Sequence, residues 1–214
     1  YFCYICDDDY WIYENLLTKQ VKEFYEDSDL SMVIGGQLSY FVDGEGDNKK
    51  IIDSINLNNV INIETLEVAE ERFRYSKKLY SKKKLTTYEF LKSFASDPTL
   101  HCITVGATLY AKANFVKADA MASRSGSKWQ AGYEFWIGPA CYGNVAYLDI
   151  PAILTEIRSE NASFQRTQVA HYLDSIEGIE VAFRSPLASG NARLPRHELI
   201  RFKKNMIANL SRTY

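Results

Sequence analysis

The chain has no apolar run near the about 18 residues that a membrane-crossing helix requires. It has no charge excess either: 25 Lys and Arg stand against 27 Asp and Glu, a net charge of -2, so nothing draws it globally to nucleic acid or anionic lipid. Cysteine is sparse. Cys3, Cys6, Cys102 and Cys141 lie inside apolar segments. Cys3 and Cys6 form a Cys-x-x-Cys, but a strand there would send the two to opposite faces. Reduced, buried thiols of a cytoplasmic protein are therefore expected instead of a redox or zinc pair. No internal repeat or low-complexity tract is present. The acids of Asp43-Gly44-Glu45-Gly46-Asp47-Asn48 lack the ligand spacing of an EF-hand and read as a solvated loop. His101 and Thr104 lack the spacing and the second copy of a His-x-Thr phosphodiesterase pair, so His101 reads as structural.

What is present is a globular composition. With 214 residues, 46% hydrophobic and 24% charged, the chain can bury a sizeable core as one domain, alone or with a C-terminal extension. It opens on the apolar run Tyr1-Phe2-Cys3-Tyr4-Ile5-Cys6, which ends in Asp7, Asp8 and Asp9. Aromatic and β-branched residues in an uninterrupted apolar run predict a central strand covered on both faces, with the aspartates at its carboxyl end, where open α/β sheets bind ligands. Three adjacent carboxylates repel one another unless a cation, donors or water offset them, and an all-oxygen set suits Mg²⁺ or Mn²⁺. The other reading is that Asp8 or Asp9 caps a helix starting near Trp11 and that the rest are solvated.

Apolar spacing predicts a helix over 11–25, a strand over 31–42, a strand-like stretch within 51–63 and a charged helix over 66–79. A short helix over 87–95 should stop at Asp97-Pro98, and an apolar β-prone run over 101–110 should lead into a helix from Lys112. A loop is expected at 123–130, a helix over 163–176, a connection over 186–195 and an amphipathic terminal helix over 197–210. Lys77, Lys78, Lys82, Lys83 and Lys84 form the basic cluster. It reads either as a solvated surface or as a face that meets anionic lipid or a lipid diphosphate.

The segment Tyr4-Ile5-Cys6-Asp7-Asp8-Asp9, followed by Glu14-Asn15-Leu16-Leu17, resembles the metal-binding segment of family 2 glycosyltransferases, with Tyr13 where proline is common. Further stretches are similar to the same family. They are Ser31-Met32-Val33-Ile34-Gly35-Gly36, then Gly132-Tyr133-Glu134-Phe135-Trp136 with Gly143 to Asp149, and finally Arg158-Ser159-Glu160-Asn161-Ala162-Ser163. The middle of the chain, about 43–98, carries no match.

The resemblance implies an α/β fold of the GT-A nucleotide-sugar type, a mixed sheet flanked by helices. Residues 1–163 would be the C-terminal part of that domain, with an insertion at about 43–98, and 164–214 a helical extension. Such domains begin with βαβ units that hold the base and ribose. None precedes Tyr1, so the chain is expected to be part of a longer enzyme and inactive alone.

The implied activity is metal-dependent, inverting transfer of a sugar from a nucleotide-sugar donor to a hydroxyl of a glycan or glycolipid, in envelope glycan or polysaccharide synthesis. The implied setting is the cytoplasm or the inner membrane surface, with peripheral membrane contact. By position, Asp8 ranks first as metal ligand, Asp9 also binds metal, and Asp7 meets the ribose or a metal-bound water. Arg158 stands where relatives carry a histidine. Either Glu160 replaces that ligand or the guanidinium pairs with the diphosphate. Glu134 is the implied base, although Ala131 and Gly132 stand where many relatives carry a Glu-Asp pair. Trp129 and Tyr133 would offer an acceptor sugar a stacking face. The Gln-x-x-Arg-Trp motif of processive synthases is absent, which favours single addition. Two alternatives stay open: a non-catalytic GT-A-like binding protein, and another metal-dependent enzyme acting on phosphate esters.

Overall fold

The computed structural model describes residues 1–5, 9–42, 61–62, 67–68, 75–78, 83–96, 105–120, 131–158 and 168–213. Two long strands form its spine, β3 (Leu30–Val42) and β9 (Asn144–Arg158), paired in parallel from Leu30 and Asn144 to Val42 and Arg158. Short strands extend the sheet on both sides. Along β3 lie β8 (Thr108–Tyr110), paired with Met32 to Ile34, and β6 (Tyr75–Lys78), paired with Gln37 to Tyr40. Along β9 lie β7 (Lys83–Leu85) and β2 (Asp9–Trp11), both antiparallel to it. The two-residue β1 (Phe2–Cys3) pairs with β8, and β4 (Ile61–Asn62) and β5 (Glu67–Val68) form a separate hairpin pair.

Between the register shifts, from Met32 to Ile34 and from Val145 to Leu148, side chains of the spine alternate between two cores, as a strand covered on both faces must. Val33, Leu109, Ala146 and Leu148 face helix α1 (Leu16–Glu26) through Phe24. Met32, Ile34, Tyr110, Val145 and Tyr147 face the larger core. Four helices supply that core: α2 (Thr87–Ser96), α4 (Ala131–Ala140), α5 (Gln168–Ser189) and α6 (Arg196–Thr213). The short α3 (Lys112–Lys117) adds Phe115. The architecture is thus a mixed α/β sheet flanked by helices, as the sequence led us to expect. No described helix is long and apolar enough to cross a membrane.

Several local expectations change. Among the described residues of the opening run, Tyr1 to Ile5, there is no central strand: Phe2 and Cys3 alone are paired, at the sheet edge beyond β8, and Tyr4 and Ile5 are 48% and 45% exposed. Apolar residues here pack by their rings, Phe2 against Phe115 and Tyr1 against Phe24, and not by ladder pairing on two sides. Trp11 opens no helix. It ends β2, and α1 starts at Leu16 after Asn15, whose side chain makes no cap bond. Asp9 is therefore a strand residue and not a helix cap. The charged stretch 66–79 contains β5 and β6 where a helix was expected, because the exposed sheet edge at Gln37 to Tyr40 takes Tyr75 to Lys78 as a partner. Pro186, expected in a connection, lies inside α5 one turn from its end, where little helix remains to be interrupted. Of the cysteines, Cys141 is fully buried and its thiol is pushed strongly up by that burial, while Cys3 is half-buried. Cys6 and Cys102 lie outside the described residues.

The spine is bent where β3 carries Gly35 and Gly36. There Ile34 pairs with Tyr147 but Gly36 pairs with Pro151, so β9 advances by four positions while β3 advances by two. The strands close up at this point. A Cβ on Gly35 would lie 2.4 Å from Cβ of Ala152 and 3.4 Å from Leu16. Gly35→Ala should therefore lower stability by about 1–3 kcal/mol, the usual scale of overpacking. In urea melts, adding Ala152→Gly should return part of that loss, and a coupling indistinguishable from zero would contradict the packing account.

The connection between α5 and α6 is fixed to the opposite end of the sheet. Arg193 donates its backbone N–H to Cys141 O at 2.8 Å, and its guanidinium pairs with both carboxylate oxygens of Asp29 at 2.7 and 3.3 Å. Hydrogen bonding and then the charge of Arg193 hold the Asp29 carboxyl below its ordinary range. A depressed carboxylate contributes stability above its unfolded pKa and loses it as pH falls through the folded value. Arg193→Gln should move Asp29 upward, toward the ordinary aspartate range, in an NMR pH titration of its carboxyl carbon. An unmoved Asp29 would mean another group holds it.

Candidate functional site

Because β3 and β9 run parallel, their carboxyl ends lie together at Val42 and Arg158. Strand β2 runs the other way, with Asp9 opposite Thr155, so the chain enters β2 beside the carboxyl half of β9. Arg158 follows Thr155 by three positions, about 10 Å along a strand at about 3.3 Å per residue. The main chain thus brings Asp9 and Arg158 to one end of the sheet. Three side-chain hydrogen bonds tie β2 and α1 to the rest of the sheet. Trp11 Nε1 donates to Gly106 O at 3.1 Å, tying β2 to the turn before β8, and Gln20 Nε2 donates to both Val33 O and Ala107 O at 3.0 and 2.9 Å.

Helix α4 reaches β9 through the turn at Cys141 and Gly143, so its first turn, with Glu134, is the part farthest from the amino end of β9. Glu134 is 1% exposed. Its neighbour Tyr133, expected on an acceptor surface, is fully covered and lies edge-on to Trp136 at 5.9 Å between ring centroids. The indole of Trp136 folds back over Gly132, where an added Cβ would come within 2.7 Å of it. Tyr133 and Trp136 are therefore core rings in this arrangement, because a helix buried along nearly its whole length has no open face on which to display them. The backbone at Gly35 and Gly36 is continuous strand, closely packed by Ala152 and Leu16.

Asp7, Asp8, Trp129 and Glu160 lie outside the described residues, and Asp9 and Arg158 are placed by their main chain. Among the described residues no three His, Cys, Asp or Glu side chains are grouped to hold an ion. Within the basic cluster, Lys84 ties β7 to α1 through Glu23 and Asp27 at 3.7 and 3.6 Å, and Lys83 lies over the Tyr147 ring at 5.3 Å.

Asp149 is an exposed carboxylate in the residues of β9 where the register breaks, a break that the alternation of Val145 to Leu148 does not foretell. No protein-family model matches the chain, and no curated protein matches it.

Proposed function

We propose that the chain carries the metal and acceptor side of a metal-dependent inverting glycosyltransferase of the GT-A type, acting on a nucleotide-sugar donor and a glycan or glycolipid hydroxyl. One observation carries the reading: the end of the aspartate triplet and Arg158 come to the same, carboxyl, end of a parallel strand pair, the usual ligand end of an α/β sheet. Bound Mn²⁺ or Mg²⁺ would offset the charge that builds on the departing diphosphate. Asp8 and Asp9, with Glu160, would hold the ion, Asp7 would meet the ribose, and Arg158 would pair with the diphosphate. Glu134 would take the acceptor's proton. Its burial adds a condition, that substrate entry must uncover it.

That same burial favours a second reading, a GT-A-like protein that binds without catalysis. A phosphate-ester enzyme would use the same aspartates with no sugar donor. Calorimetric titration of the protein separates the three. Mn²⁺-dependent binding of UDP and UDP-sugars, lost in Asp8→Asn together with transfer, supports the transferase, since the amide keeps the shape and removes the charge. Binding without turnover favours the scaffold, and preference for simple phosphate esters favours the third. Metal affinity and turnover both unchanged in Asp8→Asn would move the site elsewhere.

A further inference from the structure

The hairpin of α5 and α6 carries a charged groove that the proposed transfer does not use. Helix α5 contributes Glu180, Arg184, Leu187 and Ala188 at three- and four-residue spacing, one stripe of its surface, and α6 contributes Arg196 and Lys203, seven positions apart. Together they line a groove of about 340 Å³. Glu180 and Arg184 have the spacing of an intrahelical ion pair, yet Glu180 turns across to Lys203, whose Nζ donates to its Oε2 at 2.6 Å. That choice leaves the groove with two exposed guanidiniums, Arg184 and Arg196, and no carboxylate among the described residues paired with either. The lining therefore carries a net charge of about +2 on a chain whose overall charge is -2.

We propose that this groove binds a phosphate dianion, carried by a soluble phosphate monoester or by a phospholipid headgroup. A monoester holds about -1.5 to -2 at neutral pH, which matches the uncompensated charge. Guanidinium is permanently charged and presents parallel N–H donors to phosphate oxygens, so two of them form a clamp that lysines would not. Leu187 and Ala188 supply an apolar wall for the carbon skeleton attached to the phosphate. The backbone that carries Arg196 is held in place. Arg193 pins the connection between the helices to Cys141 and Asp29, and Pro195 O accepts from Glu198 and Leu199, so Arg196 starts from a fixed backbone.

The test uses the whole chain. Glycerol 3-phosphate is titrated by NMR, and in parallel the protein is sedimented with phosphatidylcholine vesicles with and without phosphatidic acid. The double variant Arg184→Gln with Arg196→Gln should weaken binding at least about tenfold, the loss expected for charge-assisted hydrogen bonds. Arg212→Gln makes a charge change at the far end of α6, where Arg212 bonds only Asn209, and should leave binding within about twofold. Saturable binding of glycerol 3-phosphate that follows this pattern assigns a soluble ester. Binding only to phosphatidic acid vesicles, with the same pattern, assigns the headgroup. Absence of saturable binding in both arms, or an equal loss in Arg212→Gln, overturns the site.

Discussion

Phe183→Ala should remove about 3–5 kcal/mol of stability, a large part of the about 5–15 kcal/mol that holds a domain together. Phe183 is fully buried in α5, in the same core as Ile137 of α4, Met206 of α6 and Met32 and Ile34 of the spine. The elements around it are fixed by Arg193 and by the sheet, so the vacated space cannot close by a shift of one helix. The residues from Gln168 onward were expected to form an extension; they complete the main core, and a chain ending near residue 163 would expose that face of α4. The urea midpoint is the measurement. A loss under about 1 kcal/mol would mean that α5 is an appendage after all.

Glu134→Gln should reduce sugar transfer by about 10²–10⁴-fold, the range general-base catalysis supplies, while metal-dependent donor binding persists. The substitution keeps the shape in a place only 1% exposed, so it separates chemistry from packing better than alanine would. A carboxylate with a purely structural role predicts the opposite pattern, a changed thermal midpoint with an unchanged single-turnover rate. Measuring both quantities on the same variant decides between them, and unchanged turnover would end the catalytic assignment.

Where the sequence was legible, periodicity and burial agreed. Leu30–Val42, Thr87–Ser96, Lys112–Lys117 and Arg196–Thr213 follow their apolar patterns because each packs on one or two defined faces. Legibility failed at the start of the chain. Tyr1 to Cys6 has strand composition, but β pairing depends on a partner at the right place, and among the described residues of this run only Phe2 and Cys3 have one, at Tyr110 and Leu109. Trp11 was absorbed into a helical pattern because its pairing partner, Ile153, is remote in sequence. The candidate residues, the aspartates, Arg158 and Glu134, come from residue types alone, and the strand pairing adds only that the main chain of Asp9 and that of Arg158 lie at one end of the sheet. What composition could not convey is that Tyr133 and Glu134 are covered, since an acidic, aromatic helix looks the same on a surface as in a core.

The parallel spine also governs how the chain reaches its fold. Leu30 finds Asn144 only after more than a hundred intervening residues have been gathered, and the pairing then zips for the length of both strands. Closing so long a loop is a late, entropically demanding event, which places this chain among slow folders. Once a loop is that long, however, its closure entropy grows only logarithmically, by about 0.6 kcal/mol for each doubling. Evolution can therefore lengthen or rewrite the stretch between β3 and β7 at little thermodynamic penalty, provided that β3 and β9 keep their register.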